Sequence, residues 1–396
     1  TGPSYARSDK PVQIDYPTYS QRLYYDRMQR LVRETDVLDA DTEHSRSREY
    51  DAAGNLVAET DEEDRVTRYV YDGLGRMIEK IDAAGYSTLY AYDDRDNMIA
   101  LTDANGGVWR FEYDRNNRVV AEILPLGQTT RYEYDALGNR TAILDAKGQR
   151  IEYHYSPAGR MVQERHFATG DHSNPVKVID YFYDALGRLT GYDDATTSAV
   201  YTYDANGRKL TETVDYGPFE LGHSYSYYLN GLKASFTDPE GETTRYDYDE
   251  ANRLSAIELD DGQRITYTEY EWNRPGLTNY PSGLRTHYDY DSLQRIDRIQ
   301  GQDSNGTVLL DYRYTRSPAG NIRTKDTALG RYTYEYDPIG RLKGATHPAL
   351  RNEAYTYDPV GNRLTSEDGV KVWMYDENNR LIGNEELRLE FDENGT

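Results

Sequence analysis

A single dipeptide recurs at a fixed interval along this chain. Tyr71-Asp72, Tyr92-Asp93, Tyr113-Asp114 and Tyr134-Asp135 succeed one another at steps of 21 residues. A period in this range restricts the chain to repeat architectures, in which each unit buries its surface only against its neighbours. The motif tyrosine is read at positions 25, 50, 71, 92, 113, 134, 155, 183, 203, 228, 248, 270, 290, 314, 336, 357 and 375. From Tyr25 to Tyr375 the 16 steps cover 350 residues, a mean of about 22. Three insertions, near 166–180, 215–227 and 301–312, read as longer loops or extended hairpins, because the motif resumes after each.

Within a unit, an aromatic residue usually precedes the motif tyrosine by two positions, as in Tyr69/Tyr71, Phe111/Tyr113 and Trp373/Tyr375. Spacing of two puts both rings on one face of a β-strand. The residues after the motif tyrosine have turn chemistry. Asp suits the first turn position, Pro the second, and Gly or Asn the left-handed position that ends a three-residue hairpin loop. Asp337-Pro338-Ile339-Gly340 and Asp358-Pro359-Val360-Gly361 carry all three features. The clearest copies are Tyr71, Asp72, Gly75 and Arg76; Tyr134, Asp135 and Gly138; Tyr183, Asp184, Gly187 and Arg188; Tyr203, Asp204, Gly207 and Arg208; and Tyr336, Asp337, Gly340 and Arg341. Asn117, Asn252 and Asn379 replace the glycine in other copies, while Gln29 and Gln294 depart from the rule and predict strain or another turn. The motif arginine pairs with a motif aspartate of the same or an adjacent turn and sets the register; anion binding is the lesser reading. A second Asp-x-x-Gly lies about ten residues on, as at Asp82–Gly85 and Asp145–Gly148. Each unit therefore predicts two strands and two turns.

Sequential strands joined by tight turns form an antiparallel meander. The fold class is all-β: a long meander of β-hairpins curling into a spiral, hollow shell. Residues 1–23 form a less regular N-terminal segment, and residues 24–396 the repeat shell, truncated at its C-terminus. With strands about 4.8 Å apart, some 36 to 38 of them make a strip on the order of 170 Å, and strips of this length curl, split or close. The tyrosine faces are expected to pack along the sheet, ring on ring between neighbouring units, with Met77, Ile78 and Ile81 filling in. Tyr suits this, since its ring can be buried while its hydroxyl reaches a partner; the chain has 40 Tyr against 6 Phe and 3 Trp.

Other chemistry is excluded or weak. There is no cysteine, hence no disulfide and no thiolate metal site, which is compatible with an exported bacterial protein. A net charge of -23 argues against nucleic-acid backbones as partners. No apolar run approaches the ~18 residues of a membrane span. No phosphate loop, dinucleotide fingerprint or nucleophile elbow occurs. The segments 103–107 and 303–307 resemble calcium loops but lack the full ligand run, so they read as turns. The seven histidines are scattered without metal spacing, and no carboxylate pair can be singled out as a glycosidase site. The expectation is no enzyme, no catalytic residue, no cofactor and no metal.

The segments "YDGLGRM", "YDALGRL", "YDANGRK", "YDPIGRL" and "TDPEGETTRYDYD" resemble the YD repeats of the Rhs family, and the resemblance runs over nearly all of residues 24–395. That family includes bacterial Rhs polymorphic toxins, the C component of Tc toxin complexes and animal teneurins. The resemblance implies a β-sheet cocoon, secreted or delivered from a bacterial cell, commonly by type VI secretion, that encloses a C-terminal toxin domain. Its partners are then that enclosed domain, the remaining shell of the parent chain, and a secretion spike or delivery protein. The family's "DPxGL" cleavage signature has no counterpart here, and the first residue is Thr1. The chain thus reads as a fragment with no catalytic residue carried over. The alternative is a cell-surface or carbohydrate-binding adhesion module that uses tyrosine rings as sugar platforms.

Overall fold

The computed structural model describes residues 4–5, 10–365 and 372–395; side chains are described from residue 10 onward. Among these residues every regular element is a β-strand, 35 in all, and 33 of them fall in one sheet. No helix among them is long and apolar enough to cross a membrane. The fold is the antiparallel meander the repeat predicts. Residues 1–3 and 6–9 of the N-terminal segment lie outside the described residues; Pro11–Asp15 and Ser20–Tyr25 pair antiparallel.

Two compact units divide the chain. The first comprises residues 1–110, 269–278 and 282–390. Its repeat ladder runs through Glu43–Tyr50, Leu56–Thr60, Val66–Tyr71, Met77–Ile81, Ser87–Tyr92 and Met98–Thr102, each strand paired with the next. The second comprises residues 111–268, 279–281 and 391–396. It runs from Val119–Ile123 through Thr129–Tyr134, Arg140–Leu144 and Arg150–Tyr155 to Arg264–Thr268 in the same sequential order. The three insertions are extended hairpins: Met161–Phe167 with Pro175–Tyr183, Lys209–Asp215 with Glu220–Tyr227, and Ile296–Gln302 with Val308–Arg316.

The core is unlike that of a layered domain. Among the described residues no large side chain is fully buried, and the buried apolar residues are mostly small: Ala58, Ala121, Ala142, Ala199, Ala256 and Ala345, with Leu23 and Phe167. A single sheet has no second layer to bury a wide face against, so cover must come from neighbours along the strip. Ala142 shows how. It pairs with Glu133 on one side and Glu152 on the other, so all three point to the same face. The Arg150 guanidinium clamps both acids, at 2.7 and 2.8 Å to Glu133 and 2.8 Å to Glu152. The long charged side chains close over the alanine and leave it 1% exposed.

The rings also pack differently from the ring-on-ring expectation. Stacked or tilted pairs such as Tyr225–Phe236 and Tyr288–Tyr290 exist. Between neighbouring motifs, however, the ring's partner is a guanidinium: Arg76 over Tyr92, Arg118 over Tyr134, Arg188 over Tyr203 and Arg341 over Tyr357, all at 4.6–5.0 Å from the centroid. A cation over the ring face gains from the ring quadrupole and brings its own hydrogen bonds, which a second ring cannot.

Candidate functional site

The repeated motif is the one constellation the sequence singles out, and its geometry is nearly invariant. In the turn at Asp72, the Asp72 N–H donates to the Arg76 carbonyl at 2.9 Å and the Gly75 N–H to the Asp72 carbonyl at 3.0 Å. Gly75 has φ 80°, the left-handed conformation that glycine adopts without strain. The Asp72 carboxylate accepts from the N–H groups of Leu74 and Arg76 through Oδ1 and from the Arg76 guanidinium through Oδ2. One aspartate thus closes the turn and anchors the arginine. Asp184 with Arg188, Asp204 with Arg208 and Asp337 with Arg341 repeat these bonds, and Gly187, Gly207 and Gly340 sit at φ 83–85°. At Asp135, Asn139 takes the arginine's place and Gly138 has φ 94°. Gln29 and Gln294 adopt the same turn at φ 64° and 62°, not another one.

The anchored groups reach the next motif. Arg76 Nη1 donates to the Asp93 carbonyl at 2.8 Å, Arg188 to Asp204 at 2.8 Å, Arg208 to Tyr228 at 2.9 Å and Arg341 to Asp358 at 2.8 Å. In the other direction the tyrosine hydroxyl donates to the carbonyl just after the previous arginine or asparagine. Tyr71 reaches Leu56, Tyr134 Val119, Tyr183 Met161, Tyr203 Leu189 and Tyr336 Ile322, all at 2.7–2.9 Å. Two hydrogen bonds of opposite sense and one ring contact therefore latch successive motifs along one edge of the sheet.

Two motif positions need correction. The tyrosine in the latch near 228 is Tyr227, which donates to the Lys209 carbonyl; Tyr228 stands in the aspartate's place, its N–H bonded to the Leu232 carbonyl. Near 314 the tyrosine's place is held by Arg316, whose guanidinium donates to the Ile296 carbonyl, with Ser317 next as turn opener. The extended hairpins shift the spacing there, so counting by period misplaces the tyrosine by one or two residues. Among the motif arginines, Arg160 has no carboxylate in its own turn, because Ser156 opens it.

The electrostatics match the geometry. The Arg76 N–H beside Asp72, then its guanidinium, hold that carboxyl below the usual range, and the same arrangement lowers Asp184 and Asp204. At Asp114 the Arg118 guanidinium is the leading cause, and at Asp135 the Asn139 side chain. Burial pushes the hydroxyls of Tyr71, Tyr132, Tyr153 and Tyr336 up. Tyr181 goes up to about 12, through burial first and the Glu164 carboxylate second. These shifts keep the aspartates ionised and the tyrosines neutral, which suits hydrogen bonding. Among the described residues no group of three or more His, Asp or Glu is placed to hold a metal ion.

The segments 103–107 and 303–307 are turns of this same kind, their aspartates accepting from main-chain N–H groups. Sequence reasoning missed the small residue on the return strand. Ala58, Ala121 and Ala142, with Gly191 at the matching place, sit two positions after the strand's first residue, so the signal was available.

The model of the RHS repeat matches residues 50–87, 78–108, 92–129, 113–150, 134–171 and 227–266. Those segments of the chain are RHS repeats. No curated protein sequence matches the chain. Among solved structures, its fold is similar to that in the crystal structure of TcdB2-TccC3, at 16% identity, TM-score 0.85, over 99% of this chain and 26% of that one. It is also similar to the crystal structure of TcdB2-TccC3-Cdc42, at 16% identity, TM-score 0.60, over 95% and 27%. A third is the Tc holotoxin pore of Photorhabdus luminescens, at 16% identity, TM-score 0.59, over 100% and 28%. The RHS-repeat chain spans about a quarter of the length of these chains, and the likeness is one of fold.

Proposed function

We propose that this RHS-repeat chain is a non-catalytic wall: part of a spiral, hollow shell that encapsulates a C-terminal toxin domain for delivery from a bacterial cell. One observation carries the proposal. In each unit, turn loops far apart in sequence lie side by side. In the first, Asn105 Nδ2 donates to Asp358 Oδ2 at 2.8 Å, Asn379 Nδ2 to Asp103 Oδ2 at 2.8 Å, and Arg323 pairs with Glu63 at 3.0 Å. In the second, Asn394 Nδ2 donates to Asp145 Oδ2 at 2.7 Å and Lys147 pairs with Asp392. A meander whose later strands return beside its earlier ones, over 247–276 residues, is the local requirement of a wound wall. The lack of a wide buried core among the described residues and the fold shared with Tc toxin structures support the same conclusion.

The partners in this proposal are the enclosed domain, further shell and a delivery protein such as a secretion spike. The test is imaging together with protection. Electron microscopy of the RHS-repeat protein should show a curved wall around a void, and a cargo domain fused after the repeats should resist protease until the wall is denatured. A solid particle, or cargo digested as fast as the free domain, sinks the proposal.

A further inference from the structure

Five Asn-Gly dipeptides occur in the chain, at Asn105, Asn206, Asn230, Asn305 and Asn394. Each lies in a turn of the kind described above. The glycine has φ 82–92°, and its N–H donates to the carbonyl of the residue that opens the turn, at 2.9–3.1 Å. Asn-Gly is open to deamidation, because glycine has no Cβ to keep its main-chain nitrogen away from the asparagine side chain. In that reaction the glycine nitrogen attacks the asparagine Cγ. An N–Cγ bond forms and closes a succinimide, the Cγ–Nδ2 bond breaks, and the glycine N–H proton leaves with Nδ2 as ammonia. Water then opens the ring to aspartate or, by attack at the other carbonyl, to isoaspartate.

Asn105 and Asn394 differ from the others in what holds their side chains. Asn105 Nδ2 donates to Asp358 Oδ2 at 2.8 Å, across 253 residues. Asn394 Nδ2 donates to Asp145 Oδ2 at 2.7 Å, across 249 residues, and its Oδ1 accepts from the Lys147 N–H at 3.2 Å. Asn206 and Asn305 sit in the same turn with exposed side chains that no hydrogen bond holds among the described residues. They are matched controls, since Asn305 lies in the unit of Asn105 and Asn206 in that of Asn394. The long-range contact bears on the reaction twice. Ring closure needs the side chain to turn back onto its own main chain, so the bond to Asp358 or Asp145 must open first. Either product then sets a carboxylate against that same aspartate: a donor has become an acceptor, and attraction has become like-charge repulsion. We infer that Asn105 and Asn394 are modification sites, at which deamidation by water follows opening of the long-range contact and then holds it open.

The inference rests on contacts within each unit and not on what the wall encloses, so the imaging and protection experiment leaves it untouched. Its own test is to age the protein at mildly alkaline pH and follow each Asn-Gly by peptide mass spectrometry, with isoaspartate scored by enzymatic methylation. Asn105 should convert about tenfold more slowly than Asn305, and Asn394 about tenfold more slowly than Asn206, because a hydrogen bond to a carboxylate has to open first. Asp358→Ser should bring Asn105 to the rate of Asn305 and leave Asn394 unchanged; Asp145→Ser should do the converse. Serine opens such turns at Ser156 and Ser317, so these variants keep the turn. Hydrogen exchange reads the consequence. In Asn105→Asp the main-chain N–H groups of the 358–362 turn should exchange about tenfold faster than in the parent, with those of the 204–208 turn unchanged. Equal rates at Asn105 and Asn305 in the parent, no acceleration in Asp358→Ser, or unchanged exchange in Asn105→Asp overturns the inference.

Discussion

At the level of single residues, the motif aspartate accepts two main-chain N–H groups and one side chain at once, and its ionised form is the one the fold uses. Asp72, Asp135, Asp184 and Asp204 all have lowered pKa values. A group with a depressed folded pKa contributes stability that is present above the unfolded value, about 3.9 for Asp, and is lost as pH falls through the folded value. Many such groups titrate together, so circular dichroism against pH should show a steep acid transition starting below about pH 4. The tyrosines act in the opposite sense. Their raised values mean that stability is full below about pH 10, the unfolded value, and is lost as pH climbs toward the folded values, about 12 for Tyr181. A flat plateau between these limits is expected; acid unfolding already complete at about pH 5 contradicts it. The hydroxyl itself can be isolated. Tyr134→Phe removes the bond to the Val119 carbonyl and keeps the ring under Arg118. Denaturant titration should show a loss of about 1 kcal/mol.

Among the elements, the hairpin is fixed from both ends. The turn places the left-handed residue, and a register shift just before the motif tyrosine, as between Val70 and Tyr71, provides the bulge that such a turn needs. The return strand requires a small residue where neighbouring side chains close over it. Gly191 is the extreme case: a Cβ there would lie 2.2 Å from the Ala199 carbonyl oxygen of the paired strand. Gly191→Ala should therefore cost about 1–3 kcal/mol by forcing those strands apart, read from the shift in denaturant midpoint. A neutral outcome would show that the Leu189–Asp193 strand yields freely there. The strands, turns and their order were legible in the sequence, because Tyr-x-Tyr and Asp-x-x-Gly are local signals. The charged cover over Ala142 was not, since Glu133, Arg150 and Glu152 meet only once three strands are in register.

For the whole molecule, the two-strand unit is the step that can be added or removed. Deleting residues 114–134 joins Tyr113 to Asp135 and removes one 21-residue unit, keeping each motif turn on its own edge. Deleting only residues 114–123 removes one strand and sends every later motif turn to the opposite edge, away from its latch partner. The first variant should stay folded with a melting point within a few degrees of the parent, while the second should lose cooperative melting. Equal melting of the two would mean that the latches do not order the strip. The Asn105–Asp358 and Asn394–Asp145 contacts add a second constraint, because each joins loops that no local rule relates.

The repeat, the all-β class, the sequential antiparallel pairing and the turn chemistry are written in the order of residues alone. Each rests on groups within about ten positions of one another, where backbone preference and side-chain period act directly. Three-dimensional packing was needed to assign the groups that latch neighbouring motifs, to show that guanidinium groups and not rings cover the tyrosines, and to place Tyr227 and Arg316 at the motif tyrosine's position. It also selected which distant loops touch. These features depend on register across several strands, which a local pattern does not encode. A one-residue error in counting therefore misplaces a motif such as that at Tyr228, and only the hydrogen bonds reveal it.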